Sequence, residues 1–203
     1  MSARRLPSAA AVALLSLLAC APTPVPRLRF YRLAPDREAP VGAAPAILDG
    51  VLVINRFTAD TLLGERPIVY GNGDSAELHQ HRYDYWVEPP PDMLEDRLAA
   101  HLRARRAATV VARPEMRLRP DYVLRGRVRR FERVVGGGNR AVIETEITVT
   151  DASDRLVWTG VYKADVAANG DGVRAAVAAF DRGVADILDR FTADLARSNP
   201  PVR

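Results

Sequence analysis

Cysteine and lysine are each represented once in 203 residues, by Cys20 and Lys163. A lone cysteine excludes an intramolecular disulfide and a cysteine-based zinc site. The histidines are His79, His81 and His101, and no HExxH spacing links them. No GxSxG elbow occurs, and Ser75, Ser153 and Ser198 fall in polar turns or tails, so nucleophilic catalysis has little to build on. Thirteen glycines and fifteen prolines are too few and too dispersed for a collagen-like or fully disordered chain. No apolar run approaches the roughly 20 residues of a membrane-spanning helix. What is there is ordinary for one globular domain with tails: 48% hydrophobic residues, 27% charged and a formal charge of +4. Without Arg4 and Arg5 that charge falls to +2, so the basic balance does not announce a nucleic-acid binder.

The N-terminus reads as an address. Arg4 and Arg5 precede Ala9–Ala19, which is apolar apart from Ser16 and has the length of a signal-peptide core. It ends in Leu17-Leu18-Ala19-Cys20, which resembles a bacterial lipobox. That chemistry needs a thiol to alkylate and a small residue before it, and Ala19 and Cys20 supply both. The competing reading is an ordinary secretory site, Ala19-Cys20-Ala21, cut after Ala21. The chain's single cysteine, standing where a lipobox requires it, favours lipidation. Residues 1–19 are therefore assigned as a signal peptide and 20–27 as a tether. Pro22, Pro24 and Pro26 favour an extended polyproline II segment, at about 3.1 Å per residue. No aspartate follows Cys20, which by resemblance to other diderm lipoproteins points to the outer membrane.

Residues 28–198 are expected to form one domain, with 199–203 a tail. Strands are expected at 28–33, 51–57, 67–70, 78–87 and 109–112, with a linker at 36–45. Pro89-Pro90-Pro91 stops one strand and opens a helix with Leu94, Leu98 and Leu102 on one stripe. Residues 121–135 and 140–151 flank Gly136-Gly137-Gly138-Asn139 as a long hairpin. A two-residue turn at Gly137-Gly138 pairs Val128 with Ile147 and Gly126 with Val149 on the buried face. It pairs Arg129 with Glu146 and Phe131 with Glu144 on the other. A third meander strand, 156–165, carries Trp158 and Tyr162 on one face. Asp171 is expected to cap a final helix whose apolar positions run from Val173 to Leu195. The expected fold is α+β: an antiparallel-rich sheet with two amphipathic helices packed on one face.

Few constellations carry chemistry. His79 and His81 share a strand face and would need a third ligand to hold a metal. Arg125, Arg127 and Arg129 form a stripe that either meets phosphate or pairs with Glu144 and Glu146, and the paired face is favoured. Export also argues against nucleic acid. Tyr83, Tyr85 and Trp86 are core aromatics or a contact for a partner or lipid; only one of the adjacent Tyr85 and Trp86 can face the core of a regular strand.

The order of features is similar to a known family. The lipobox is followed by Phe30-Tyr31-Arg32-Leu33, an apolar strand, Leu63-Gly64-Glu65-Arg66-Pro67-Ile68-Val69-Tyr70, and Trp86-Val87-Glu88-Pro89-Pro90 leading into a leucine-striped helix. This resembles the ABC-type transport auxiliary lipoproteins, the PqiC-like family, over nearly all of the mature chain. Pro91 and the glycine-rich Gly71–Gly73 loop depart from the pattern. The resemblance implies a non-enzymatic, acylated outer-membrane lipoprotein facing the periplasm, without cofactor. It would accompany an MCE-type lipid transport system, in which an ATPase and permease work with an MCE protein that crosses the periplasm. The expected partners are that MCE-domain protein, the outer membrane through acyl chains, and further copies of the chain, with no nucleic acid. Arg66, Tyr70 and Trp86 are expected to shape the partner surface. The alternatives are a periplasmic metal-binding protein or enzyme using His79 and His81, and a lipoprotein that assembles an outer-membrane protein. Converting Cys20→Ser is expected to move the protein from the membrane to the soluble fraction; fractionation of the native host checks this.

Overall fold

The computed structural model describes residues 26–34, 45–73 and 76–198. The signal peptide, Cys20, most of the tether, all but the last residue of the linker and the C-terminal tail lie outside the described residues. In chain order the elements are β1 (Arg29–Tyr31), β2 (Leu48–Ile54), β3 (Thr58–Ala59), a 3-10 turn (Thr61–Gly64), β4 (Pro67–Gly71) and β5 (Leu78–Trp86). There follow α1 (Pro90–Ala104), β6 (Ala108–Ala112), a second 3-10 turn (Pro114–Met116), β7 (Tyr122–Val134), β8 (Arg140–Asp151), β9 (Leu156–Ala167) and α2 (Val173–Arg197).

The fold is α+β, with one mixed sheet and both helices on one of its faces. Along one path the strands run β1-β5-β4-β7-β2-β6, and β8 and β9 extend from the other side of β7. The ladders β4–β5, β7–β8 and β8–β9 are antiparallel. The shorter pairings β1–β5, β2–β6, β2–β7, β3–β7 and β4–β7 are parallel. Parallel neighbours on both sides explain why the end of β2 is uniformly apolar: Leu52, Val53 and Ile54 are all buried.

The long hairpin forms in a register different from the expected one. Val134 pairs with Arg140 across a five-residue loop, so the turn is not the two-residue Gly137-Gly138 turn. A bulge at Arg129 then shifts the pairing again, placing Val128 opposite Thr145 and Gly126 opposite Ile147. The extra residue reverses the alternation. Phe131, expected opposite Glu144 on the charged face, instead pairs with Ile143 and is buried. Burial of a phenyl ring outweighs a clean alternation of charges. Gly126 is required where it stands, because a Cβ there would lie 2.3 Å from the Phe57 ring.

The helices follow their leucine and valine patterns. Leu94, Leu98 and Leu102 of α1 are buried, as are Val173, Val177, Phe180, Val184, Ile187, Leu188, Phe191 and Leu195 of α2. Gly183 lets α2 lie close on β8: a Cβ there would approach Ile143 Cδ1 to 2.9 Å. The helix begins one residue later than Asp171 would allow as its cap. Gly172 occupies that position at φ 105°, and the Asn139 side chain donates to the carbonyls of Gly170 and Gly172. Between β2 and β3, the Phe57 N–H donates to Glu95 Oε2 at 3.2 Å; burial pushes the Glu95 carboxyl up.

Arginines from the helices cover two sheet edges. Arg182 and Arg190 of α2 donate to the carbonyls of Ala167 (2.7 Å) and Lys163 (2.6 Å) in β9. Arg103 of α1 donates to the carbonyl of Val111 in β6 at 3.2 Å.

Two predictions follow from the packing. Phe180 stacks on Phe131 with ring centroids 4.4 Å apart and meets Trp86 edge-on at 5.4 Å. Phe180→Ala is expected to cost about 3–5 kcal/mol of stability in urea unfolding. In the β8–β9 turn, burial pushes the Asp151 carboxyl up, but the Arg155 guanidinium and the N–H groups of Ser153 and Arg155 outweigh it and hold it at about 2. A depressed carboxylate stabilises the fold above the ordinary carboxylate range and loses that contribution as pH falls toward 2. Asp151→Asn is therefore expected to lower Tm at pH 7, and the gap from the parent protein to close as thermal scans are taken to pH 2.

Candidate partner-binding surface

The residues expected at the partner surface lie on β4 and β5, beside β1. Pairing between β4 and β5 slips: Pro67 faces Tyr85, but Val69 faces Gln80. The extra β5 residues in that slip include His81 and Asp84, and the irregularity re-aims both side chains. Asp84 is buried and gathers three neighbours. Arg29 Nε lies 2.7 Å from its Oδ1, the Tyr31 hydroxyl donates to Oδ1 at 3.0 Å, and His81 Nδ1 is 3.4 Å from Oδ2. Burial, reinforced by the hydrogen bond to Asp84, raises the Tyr31 hydroxyl. His81 is shifted below the ordinary histidine value by burial; the Asp84 carboxylate opposes that shift, and Arg133 adds to it.

Arg66 and Trp86 are brought together and Tyr70 is not. The Trp86 N–H donates to the Arg66 carbonyl at 2.7 Å, and Arg66 Nε donates back to the Trp86 carbonyl at 3.1 Å. Trp86 is only 1% exposed, packed edge-on against Phe131 and Phe180. It is a core residue and cannot itself touch a partner, which corrects the expectation. The reason is the parity the sequence allowed: of Tyr85 and Trp86, the indole takes the inner face. Arg66 is exposed, with its guanidinium carbon 5.4 Å from the centre of the Phe30 ring. Tyr70, at the far end of β4, is half-buried between the imidazoles of His79 (5.3 Å) and His81 (4.6 Å).

The histidine pair thus flanks a tyrosine ring. Among the described residues no group of three or more His, Cys, Asp or Glu side chains is placed to hold a metal ion. His101 sits on α1, with Nε2 3.7 Å from Asp189 of α2. The arginine stripe meets acids and a hydroxyl: Arg127 pairs with Asp60 at 3.0 Å, Arg129 with Glu146 at 2.6 Å, and Arg125 donates to Thr150 at 3.3 Å. Glu144 is shared between Arg129 and Lys163. No helix of the described residues is long and apolar enough to cross a membrane.

Two residues of this surface escaped the sequence reading. Phe30 is more than half exposed, although an aromatic in a strand ordinarily reads as core. Asp84 gave no signal, because Tyr31 and Arg29, which donate to it, are 53 and 55 residues away in the chain.

The family model for the ABC-type transport auxiliary lipoprotein component matches residues 31–191. The chain belongs to this family. It is an auxiliary lipoprotein of ABC-type transport by that membership. No curated protein matches it. The crystal structure of protein XCC0632 from Xanthomonas campestris is 21% identical, with a TM-score of 0.71 over 84% of this chain and 96% of that one. A second crystal structure is 19% identical, with a TM-score of 0.64 over 85% and 98%. Both show the same fold. The PelC dodecamer from Paraburkholderia phytofirmans is more distant, at 16% identity and a TM-score of 0.47 over 76% of this chain and 93% of that one.

The Asp84 cluster yields a direct test. Asp84→Asn removes the carboxylate that opposes the downward shift of His81. The His81 titration, followed by NMR of the ring protons, is expected to move to still lower pH.

Proposed function

We propose that this auxiliary lipoprotein is anchored by acyl chains on Cys20 in the outer membrane, faces the periplasm and docks the conduit of an MCE-type lipid transport system. It acts by contact, without catalysis. One observation carries the reading: the lipobox cysteine stands eleven residues ahead of a domain that matches the transport auxiliary family from residue 31 to 191. Acyl anchoring by two or more chains is stable where one is marginal. The short proline-rich tether keeps the body close to the bilayer that holds Cys20.

Arg66 and Tyr70 are the contact residues in this reading, at opposite ends of β4. Tyr70 is the one assigned to the protein conduit. Its ring is held between two imidazoles and needs no rearrangement to meet a flat apolar partner, which limits the entropy lost on docking. A closed ring of several copies suits a component that caps a multimeric conduit.

Affinity capture of the protein from solubilised membranes of its host is expected to recover an MCE-domain protein together with its ATPase. Recovery of cell-wall enzymes alone overturns the proposal. Tyr70→Ala is expected to weaken that capture while leaving the protein in the membrane fraction.

A further inference from the structure

The described chain opens with a basic and aromatic run, Arg27-Leu28-Arg29-Phe30-Tyr31-Arg32, that the docking role does not use. Within β1 the side chains divide. Arg29 and Tyr31 turn to Asp84. Phe30 turns away, 53% exposed, and its ring lies 5.9 Å from that of Tyr85 with the Arg66 guanidinium over it. Leu28 beside it is 56% exposed. Arg27, Arg32, Arg66 and Arg82 are exposed as well, Arg82 over the Tyr83 ring at 5.5 Å. Of the neighbouring acids, Asp84 is paired with Arg29, while Glu65, which accepts from the Gln80 amide at 2.8 Å, and Glu88, which lines a cleft with Arg32, keep their charge; the four exposed arginines outnumber them. The patch is apolar and aromatic at its centre and carries excess positive charge around it. An aromatic ring beside arginine is the pairing that suits the boundary between acyl chains and lipid phosphates.

Covalent distance makes the same point. Leu28 is eight residues from Cys20. Even fully extended, eight residues span at most about 28 Å. β1 is also the first element among the described residues. A membrane-held Cys20 therefore keeps this patch within reach of the same bilayer, and a contact too weak to bind a free protein is sufficient at that effective concentration.

We infer that Leu28, Phe30 and Tyr85, with Arg27 and Arg66, rest on the phospholipid surface that carries the Cys20 acyl chains. The rings lie at headgroup level and the arginines meet lipid phosphates. This orients the body on the membrane and leaves Tyr70, at the other end of β4, for the conduit. The inference rests on the acyl anchor proposed for Cys20.

The test uses the full acylated protein, purified from its host and reconstituted in vesicles of phosphatidylethanolamine and phosphatidylglycerol. With the Cys20 thiol alkylated, Leu28→Cys supplies the free thiol for an environment-sensitive fluorophore, and Leu156→Cys, also exposed but at the start of β9, supplies the control. The label at 28 is expected to shift to the blue and to be quenched by headgroup-spin-labelled lipid, and the label at 156 is not. Adding Phe30→Ser and Arg27→Gln is expected to abolish the quenching at 28 while the protein still floats with the vesicles and keeps its Tm. An acylated, floating protein whose label at 28 is unquenched overturns this inference alone, as does quenching indifferent to the double substitution, or a label at 28 shielded by a second copy of the chain instead of by lipid. An unmodified intact mass with no flotation overturns the anchor and this inference together.

Discussion

Three aromatic rings hold the sheet to its last helix. Trp86 ends β5, Phe131 lies beyond the bulge in β7, and Phe180 sits in the second turn of α2. Each pair of rings is in contact, so three segments separated by long stretches of chain meet at one point. Such pairs contribute about 0.5–1.5 kcal/mol beyond the area they bury. The contact sets conditions on the rest of the chain. Phe131 reaches it only because one extra residue at Arg129 turns the strand over. Trp86 reaches it by claiming the inner face, which sends Tyr85 outward to Phe30. The same tryptophan backbone is clasped by Arg66 through two hydrogen bonds. The position of the exposed arginine is therefore inherited from the core.

Much of the architecture was legible in the sequence because it rests on periodicity. The leucine stripe of α1 and the long apolar face of α2 are local patterns, and local patterns survive into the fold. The strands were visible for the same reason, although β2 starts three residues before its expected place, with the buried Leu48 paired to Ala108 of β6. What was not legible involves register and distance. A bulge adds a residue without leaving a compositional mark, so the hairpin pairing was misplaced and Phe131 was put on the wrong face. The Asp84 cluster joins residues from β1 and β5, and no spacing within one segment announces it. The parallel pairings of β7 with β2, β3 and β4 come from the crossover topology, which short-range alternation does not encode.

At the surface the sequence offered for a partner, one of the three side chains belongs to the core. Arg66 is exposed and Tyr70 half-buried; Trp86 is the buried support on which Arg66 depends. Family membership supplies the transport context. β4 has a cation beside an open aromatic at one end and a clamped tyrosine at the other. In the proposed function that strand would hold two neighbours at a set separation.

The arginines that α2 and α1 lay on β9 and β6 have a further consequence. Backbone carbonyls that already accept from a guanidinium offer a poor template to an incoming strand. Copies of this protein crowded on one membrane are thereby discouraged from fusing their sheets at those borders. Association through them would have to proceed by matching side-chain surfaces, which is reversible and stops at a defined number, where continuous strand addition would grow without limit.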